Sequence, residues 1–126
     1  MSTEKRLRAL RGATSVERNE ARSIVAATSE LLSEMVARNG VVREDVVSIL
    51  FTSTQDLDAE FPAAAARGLG MDDVPLLCAT EIAVPGAVPR CVRVMMHLYT
   101  DRDYAGLRHV YLGEARSLRA DLADEG

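Results

Sequence analysis

A chain of 126 residues has room for one substantial hydrophobic core and not for two comfortable ones, so a single domain over residues 1–126 is expected, with flexible ends at 1–6 and 121–126. The apolar fraction of 48% beside 27% charged residues is that of a globular protein, and a formal net charge of −4 gives no pull toward nucleic acid or an acidic membrane surface. With aromatics at 4%, no tryptophan, no apolar window near about 18 residues and no apolar stretch in MSTEKRLRAL, base-stacking platforms, a membrane span and a secretory signal are all disfavoured, and a cytoplasmic protein with a small-molecule partner is expected.

The first element in chain order is a strand. Leu7, Ala9, Arg11 and Ala13 alternate with Arg6, Arg8, Leu10 and Gly12, which puts Arg11 on a face with apolar neighbours. Thr14 followed by Glu17 has capping-box spacing, and Ala21, Ile24, Val25, Thr28, Leu31, Leu32, Met35 and Val36 then recur at helical intervals up to Asn39-Gly40. These predict a helix of about six turns at roughly 3.6 residues each. After a turn at 43–45, VVSILFTST at 46–54 is β-branched and apolar enough for a central strand. Pro62 suits the first turn of a short helix that ends at Gly68 or Gly70.

Three more strands follow: PLLCATE at 75–81, CVRVMMHLY at 91–99 and LRHVYL at 107–112, before a last helical turn in GEARSLRADL. The order strand, helix, strand, helix and three strands argues for an α+β fold, a mixed β-sheet with helices packed on one side. Two helices cannot cover both faces of such a sheet, and identical subunits are a plausible cover for the rest. Cys78 and Cys91 lie inside apolar runs, as reduced thiols do, and not in a metal-ligand spacing.

Familiar catalytic constellations are absent: there is no phosphate loop, dinucleotide fingerprint, GxSxG elbow or HExxH helix. His97 and His109 read as packed strand residues. What stands out is arginine within apolar strands, at Arg11 and Arg93. A buried guanidinium cannot shed its charge and must face an anion, either a carboxylate of the chain or one brought by a ligand. Glu81 is the nearest strand-like carboxylate, one against two arginines, so a ligand bearing a carboxylate or phosphate fits the imbalance. Tyr111 adds a neutral donor, while Arg67 and Arg119 read as ordinary solvated arginines.

Taken in order, LRGATSVE at 10–17, DLDAEFPAAAAR at 56–67, VPLLCATE at 74–81, CVRVMMH at 91–97 and RHVYLGEARSLRADL at 108–122 resemble the AroH-type monofunctional chorismate mutases over residues 8–122. The resemblance implies a homotrimeric pseudo-α/β-barrel with clefts between subunits. It also implies the intramolecular Claisen rearrangement of chorismate to prephenate, in the aromatic amino acid branch of the shikimate pathway, without metal or organic cofactor. By the family pattern Arg93 donates to the ether oxygen and a carboxylate, Arg11 and Tyr111 hold the side-chain carboxylate, and Glu81 accepts from the ring hydroxyl near Cys78. Phe61, Ala63, Arg67 and Leu118 match residues that close the cleft from the other subunit, with Arg119 near a mobile C-terminal segment.

Ala64 replaces a frequent family lysine, Leu76 and Leu77 form the pocket wall before Cys78, and Ala120 stands where proline is common. Cys78 and Glu81 have opposite parity, so a shared pocket requires the strand to end after Cys78 or a bulge to turn Glu81 inward. Two other readings use the same arginines: a YjgF-type trimeric imine or enamine deaminase, and a non-catalytic binder of a carboxylated metabolite.

Overall fold

The computed structural model describes residues 4–118. Among these residues five strands form one sheet in the order β3-β2-β4-β1-β5. These are β1 (Arg6–Ser15), β2 (Val46–Ser53), β3 (Leu76–Thr80), β4 (Cys91–Thr100) and β5 (Val110–Leu112), with helices α1 (Ala21–Asn39) and α2 (Ala63–Gly68) between them. The sheet is mixed: β4 runs antiparallel to both β1 and β2, while β3 pairs parallel with β2 and β5 parallel with β1. The element order is the one read from the pattern. Arg6, placed in a flexible end by the sequence, is already paired with Thr100, while the expected mobile tail lies outside the described residues.

Strand alternation sorts the side chains into two faces. Leu10, Val94, Met96, Leu98, Ile49 and Phe51 share one face and pack with Leu31, Leu32 and Met35 of α1 and with Ala63, Ala65 and Ala66 of α2 in a single buried cluster. Both helices therefore lie on this side. The opposite face carries Arg11 and Ala13 of β1, Leu50 and Thr52 of β2, Leu77 and Ala79 of β3, and Arg93 and Met95 of β4, as the cross-strand partners require. Neither α1 nor α2 covers it, and Leu50 (38%), Leu77 (62%) and Tyr99 (47%) stand exposed to solvent there.

Two expectations need correction. The capping box at Thr14 does not form: Thr14 belongs to β1, held by pairing to Val92 on one side and Leu112 on the other, and its hydroxyl donates to the Ser15 carbonyl. Two-sided ladder pairing outcompetes a local cap, so α1 begins at Ala21 and runs 19 residues, about five turns. At its other end Gly40 takes the left-handed conformation with φ of 59° and closes the helix. The last strand is also shorter than LRHVYL suggested, because pairing with β1 covers only Val110, Tyr111 and Leu112.

Asn39 ties the end of α1 to the segment entering β5. Its Nδ2 donates to the Met35 and Arg108 carbonyls at 2.9 Å each, and its Oδ1 accepts from the Arg108 amide at 2.7 Å. Asn39→Ala strands buried backbone groups and is expected to destabilise the fold by about 1–3 kcal/mol. An unfolding free energy from urea titration within about 0.5 kcal/mol of the parent's would contradict this account.

Candidate active site

The chain turns sharply after β5. Gly113 adopts φ of 59°, and a side chain there would collide with Ser15, whose Oγ accepts from the Glu114 amide at 2.9 Å. A 3-10 turn over Gly113–Ser117 follows and crosses onto the bare face of the sheet. There Ala115 and Leu118 pack with Ala13, Cys91 and Tyr111 in a small second cluster. This cluster forms one wall of a depression of about 500 Å³, lined by Arg11, Leu50, Thr52, Arg93, Tyr111 and Leu118 among others.

Arg93 is not buried: its side chain keeps 47% of its accessibility. The apolar run CVRVMMHLY misled because its core-facing residues, Val92, Val94, Met96 and Leu98, lie on the helix side, while Arg93 points the other way. It does face a carboxylate of the chain. Arg93 Nε lies 3.1 Å from Glu81 Oε2, and the Thr52 hydroxyl donates to the same oxygen at 2.6 Å. Arg11 stands on the neighbouring strand, its amide donating to His109 Nδ1 at 3.0 Å. Among the described residues no ion pair engages the Arg11 guanidinium. Two guanidiniums and one carboxylate leave the depression with an excess positive charge.

Glu81 needs neither of the two devices its parity demanded. β3 continues to Thr80, and the ladder reaches one residue further, since the Glu81 amide donates to the Ser53 carbonyl at 2.9 Å. Regular alternation from Leu77 and Ala79 carries Glu81 to the bare face. Cys78 is the residue that departs: it faces the helix side, opposite Phe51 in register, and is partly buried against the main core. It lines a separate hollow with Ser53, Leu57, Phe61 and Thr80.

Of the other residues singled out in the sequence, Leu76 packs on the core side and Leu77 on the bare side. Ala63 is buried, and Phe61 (65% accessible) and Arg67 are exposed around α2. One chain thus lines one depression with Arg11, Arg93, Tyr111 and Leu118, joins Glu81 to it through the ion pair with Arg93, and holds Phe61, Ala63, Cys78 and Arg67 elsewhere. Leu118, expected as a contribution from the other subunit, lines the depression of its own chain. Arg119 lies outside the described residues. Thr52 escaped the sequence reading, because its nearness to Glu81 depends on the pairing of β2 with β3.

Cys91 sits at the base of the site, fully buried. Burial first, and then the charge of Glu81, push its thiol up to about 11, with Arg93 pulling the other way. The thiol stays neutral at ordinary pH and serves as packing, not as a nucleophile. Both cysteines are free. His97 Nδ1 lies 3.2 Å from the Ser48 hydroxyl, and His109 accepts from the Arg11 amide just ahead of β5, so each imidazole has a local structural partner.

Fold and site together define an α+β protein with an arginine-lined depression on the bare face of its sheet. The family model for chorismate mutase type I matches residues 7–122. The chain is 47% identical over 117 residues to the chorismate mutase AroH of Thermus thermophilus, covering 92% of this chain and 96% of that one. It is 43% identical over 118 residues to the AroH of Bacillus subtilis (strain 168), with 93% of each covered. A solved chorismate mutase from Clostridium thermocellum, 51% identical, superposes with a TM-score of 0.86 over 87% of this chain and 98% of that one. This chain belongs to the chorismate mutase type I family.

Proposed function

We infer that this chain is a chorismate mutase, an isomerase that rearranges chorismate to prephenate, and that the depression around Arg93 is where it does so. The observation that carries the site assignment is the Arg93–Glu81–Thr52 cluster standing beside Arg11 on the bare face. The reaction is intramolecular. The enolpyruvyl arm folds over the ring, the ether C–O bond breaks, and a C–C bond forms, so no atom enters or leaves. Such a step needs no nucleophile and no acid–base pair. It needs the folded conformer held in place and fixed positive charge where the ether oxygen becomes negative.

Each side chain then has a task. Arg93 supplies that charge and reaches a carboxylate. Arg11 binds the side-chain carboxylate with help from the Tyr111 hydroxyl, and Glu81 accepts from the ring hydroxyl. The excess positive charge of the site matches a dianionic ligand, and the apolar wall of Leu50, Met95 and Leu118 keeps water from the reacting bonds.

The depression is open, and in our reading a second copy closes it. Exposed Leu50, Leu77 and Tyr99 on the uncovered face support burial against another subunit, and a homotrimer lets the side of the chain carrying Phe61, Ala63, Arg67 and Cys78 cover the next subunit's arginines. Two free thiols accord with a cytoplasmic setting, and no described helix is long and apolar enough to cross a membrane. Neither the deaminase nor the sensor reading has an observation of its own to favour it.

The test is direct. Purified protein incubated with chorismate should consume it, followed by loss of ultraviolet absorbance, and yield prephenate stoichiometrically. Chorismate left unchanged at micromolar enzyme would sink the assignment.

A further inference from the structure

We propose that Thr52 is a positioning residue for this reaction: its hydroxyl fixes the rotamer of Glu81 and, through Glu81, the orientation of the Arg93 guanidinium. The inference rests on the reading of the site given above. Thr52 sits in β2 between the two charged groups, with Ala79 of β3 as its partner on one side and Arg93 of β4 on the other. Glu81 lies two residues beyond Ala79 on the same face, within diagonal reach.

The geometry shows why a hydroxyl is needed at that place. Glu81 follows the end of β3, where the Ser53 carbonyl holds its amide, and its side chain, with 15% of its accessibility left, takes its polar contacts from Thr52 and Arg93. Thr52 is β-branched, stiff at χ1, and mounted in a strand paired on both sides. Its single hydroxyl proton is committed to Glu81 Oε2 at 2.6 Å, and Arg93 Nε approaches that same oxygen at 3.1 Å. Anchoring both donors on Oε2 leaves Oε1 as the oxygen for a ligand hydroxyl. Committing Nε of Arg93 leaves its two terminal nitrogens as the fork for the ligand's oxygens.

Thr52→Val keeps the branched shape and removes only the hydroxyl. Its kcat/KM for chorismate is expected to fall about tenfold at unchanged melting temperature, while Thr52→Ser keeps most of the parent value. The decisive readout is a double-mutant cycle with Glu81→Ala. In that background Thr52→Val should cost less than about twofold, because the hydroxyl has nothing left to hold. Thr52→Ala, read in the same cycle, replaces valine should valine disturb folding.

Parent-like kcat/KM in Thr52→Val, with the parent active, overturns the positioning role and leaves the chorismate reading standing. An equal loss with and without Glu81 also overturns it, since the hydroxyl would then act on the ligand itself. If the parent protein does not turn chorismate over, both readings fall together, and that outcome is seen before any variant is made.

Discussion

Replacing Arg93 with alanine is expected to lower kcat for chorismate by at least ~10²-fold while leaving the chain folded. The size follows from the role: deleting one preorganised donor to a developing oxyanion costs about 2.7–4 kcal/mol of transition-state stabilisation. The intact fold follows from exposure. Arg93 keeps 47% of its side-chain accessibility against 15% for Glu81, so its guanidinium is screened by water and the ion pair contributes about 1 kcal/mol to stability. Activity and melting temperature should therefore separate, with the first collapsing and the second shifting by a few degrees at most.

Arg93→Lys should fall between parent and alanine, since an ammonium keeps the charge but cannot engage Glu81 and the ligand at once through a planar fork. Stopped assays across parent, lysine and alanine variants give the ordering. Near-parent turnover by Arg93→Ala would remove Arg93 from the chemistry and with it the proposed site.

The largest effect on stability is expected at Phe51. This ring is fully buried in β2, an inner strand of the sheet, beside Val94 of β4 and Cys78 of β3, under the face that the helices cover. Phe51→Ala loses the transfer free energy of the ring and leaves a cavity that a sheet paired on both sides cannot collapse to fill. The cost is about 3–5 kcal/mol, a large part of the ~5–15 kcal/mol that holds a typical domain together. Urea unfolding should show an earlier midpoint with an unchanged slope. A change below about 1 kcal/mol would show that the position is not packed as described.

Much of this protein was legible in one dimension, because local periodicity is a physical property of the chain. Helical recurrence from Ala21 to Val36 predicted α1, alternation predicted β1, apolar runs predicted β2 and β4, and Pro62 marked the start of α2, where it serves as N-cap. The ordered motifs pointed to the family, and a pericyclic reaction accounted for the missing nucleophile. Arg11, Glu81, Arg93 and Tyr111 were named from charge and from motif, and the fold brings all four to one face of the sheet.

Periodicity could not say which strands pair, and pairing decides which faces meet. Thr14 looked like a cap until two neighbouring strands took its backbone, and Cys78 looked like a companion of Glu81 until parallel pairing with β2 turned it toward the core. Arg93 looked buried because both faces of its strand contribute to one apolar string of letters, and only the helices' choice of side left it exposed. Sequence alone determined the elements, the family and the charged residues. The sheet order β3-β2-β4-β1-β5 decided that Thr52 would stand between Glu81 and Arg93, because that contact joins three strands far apart in the chain.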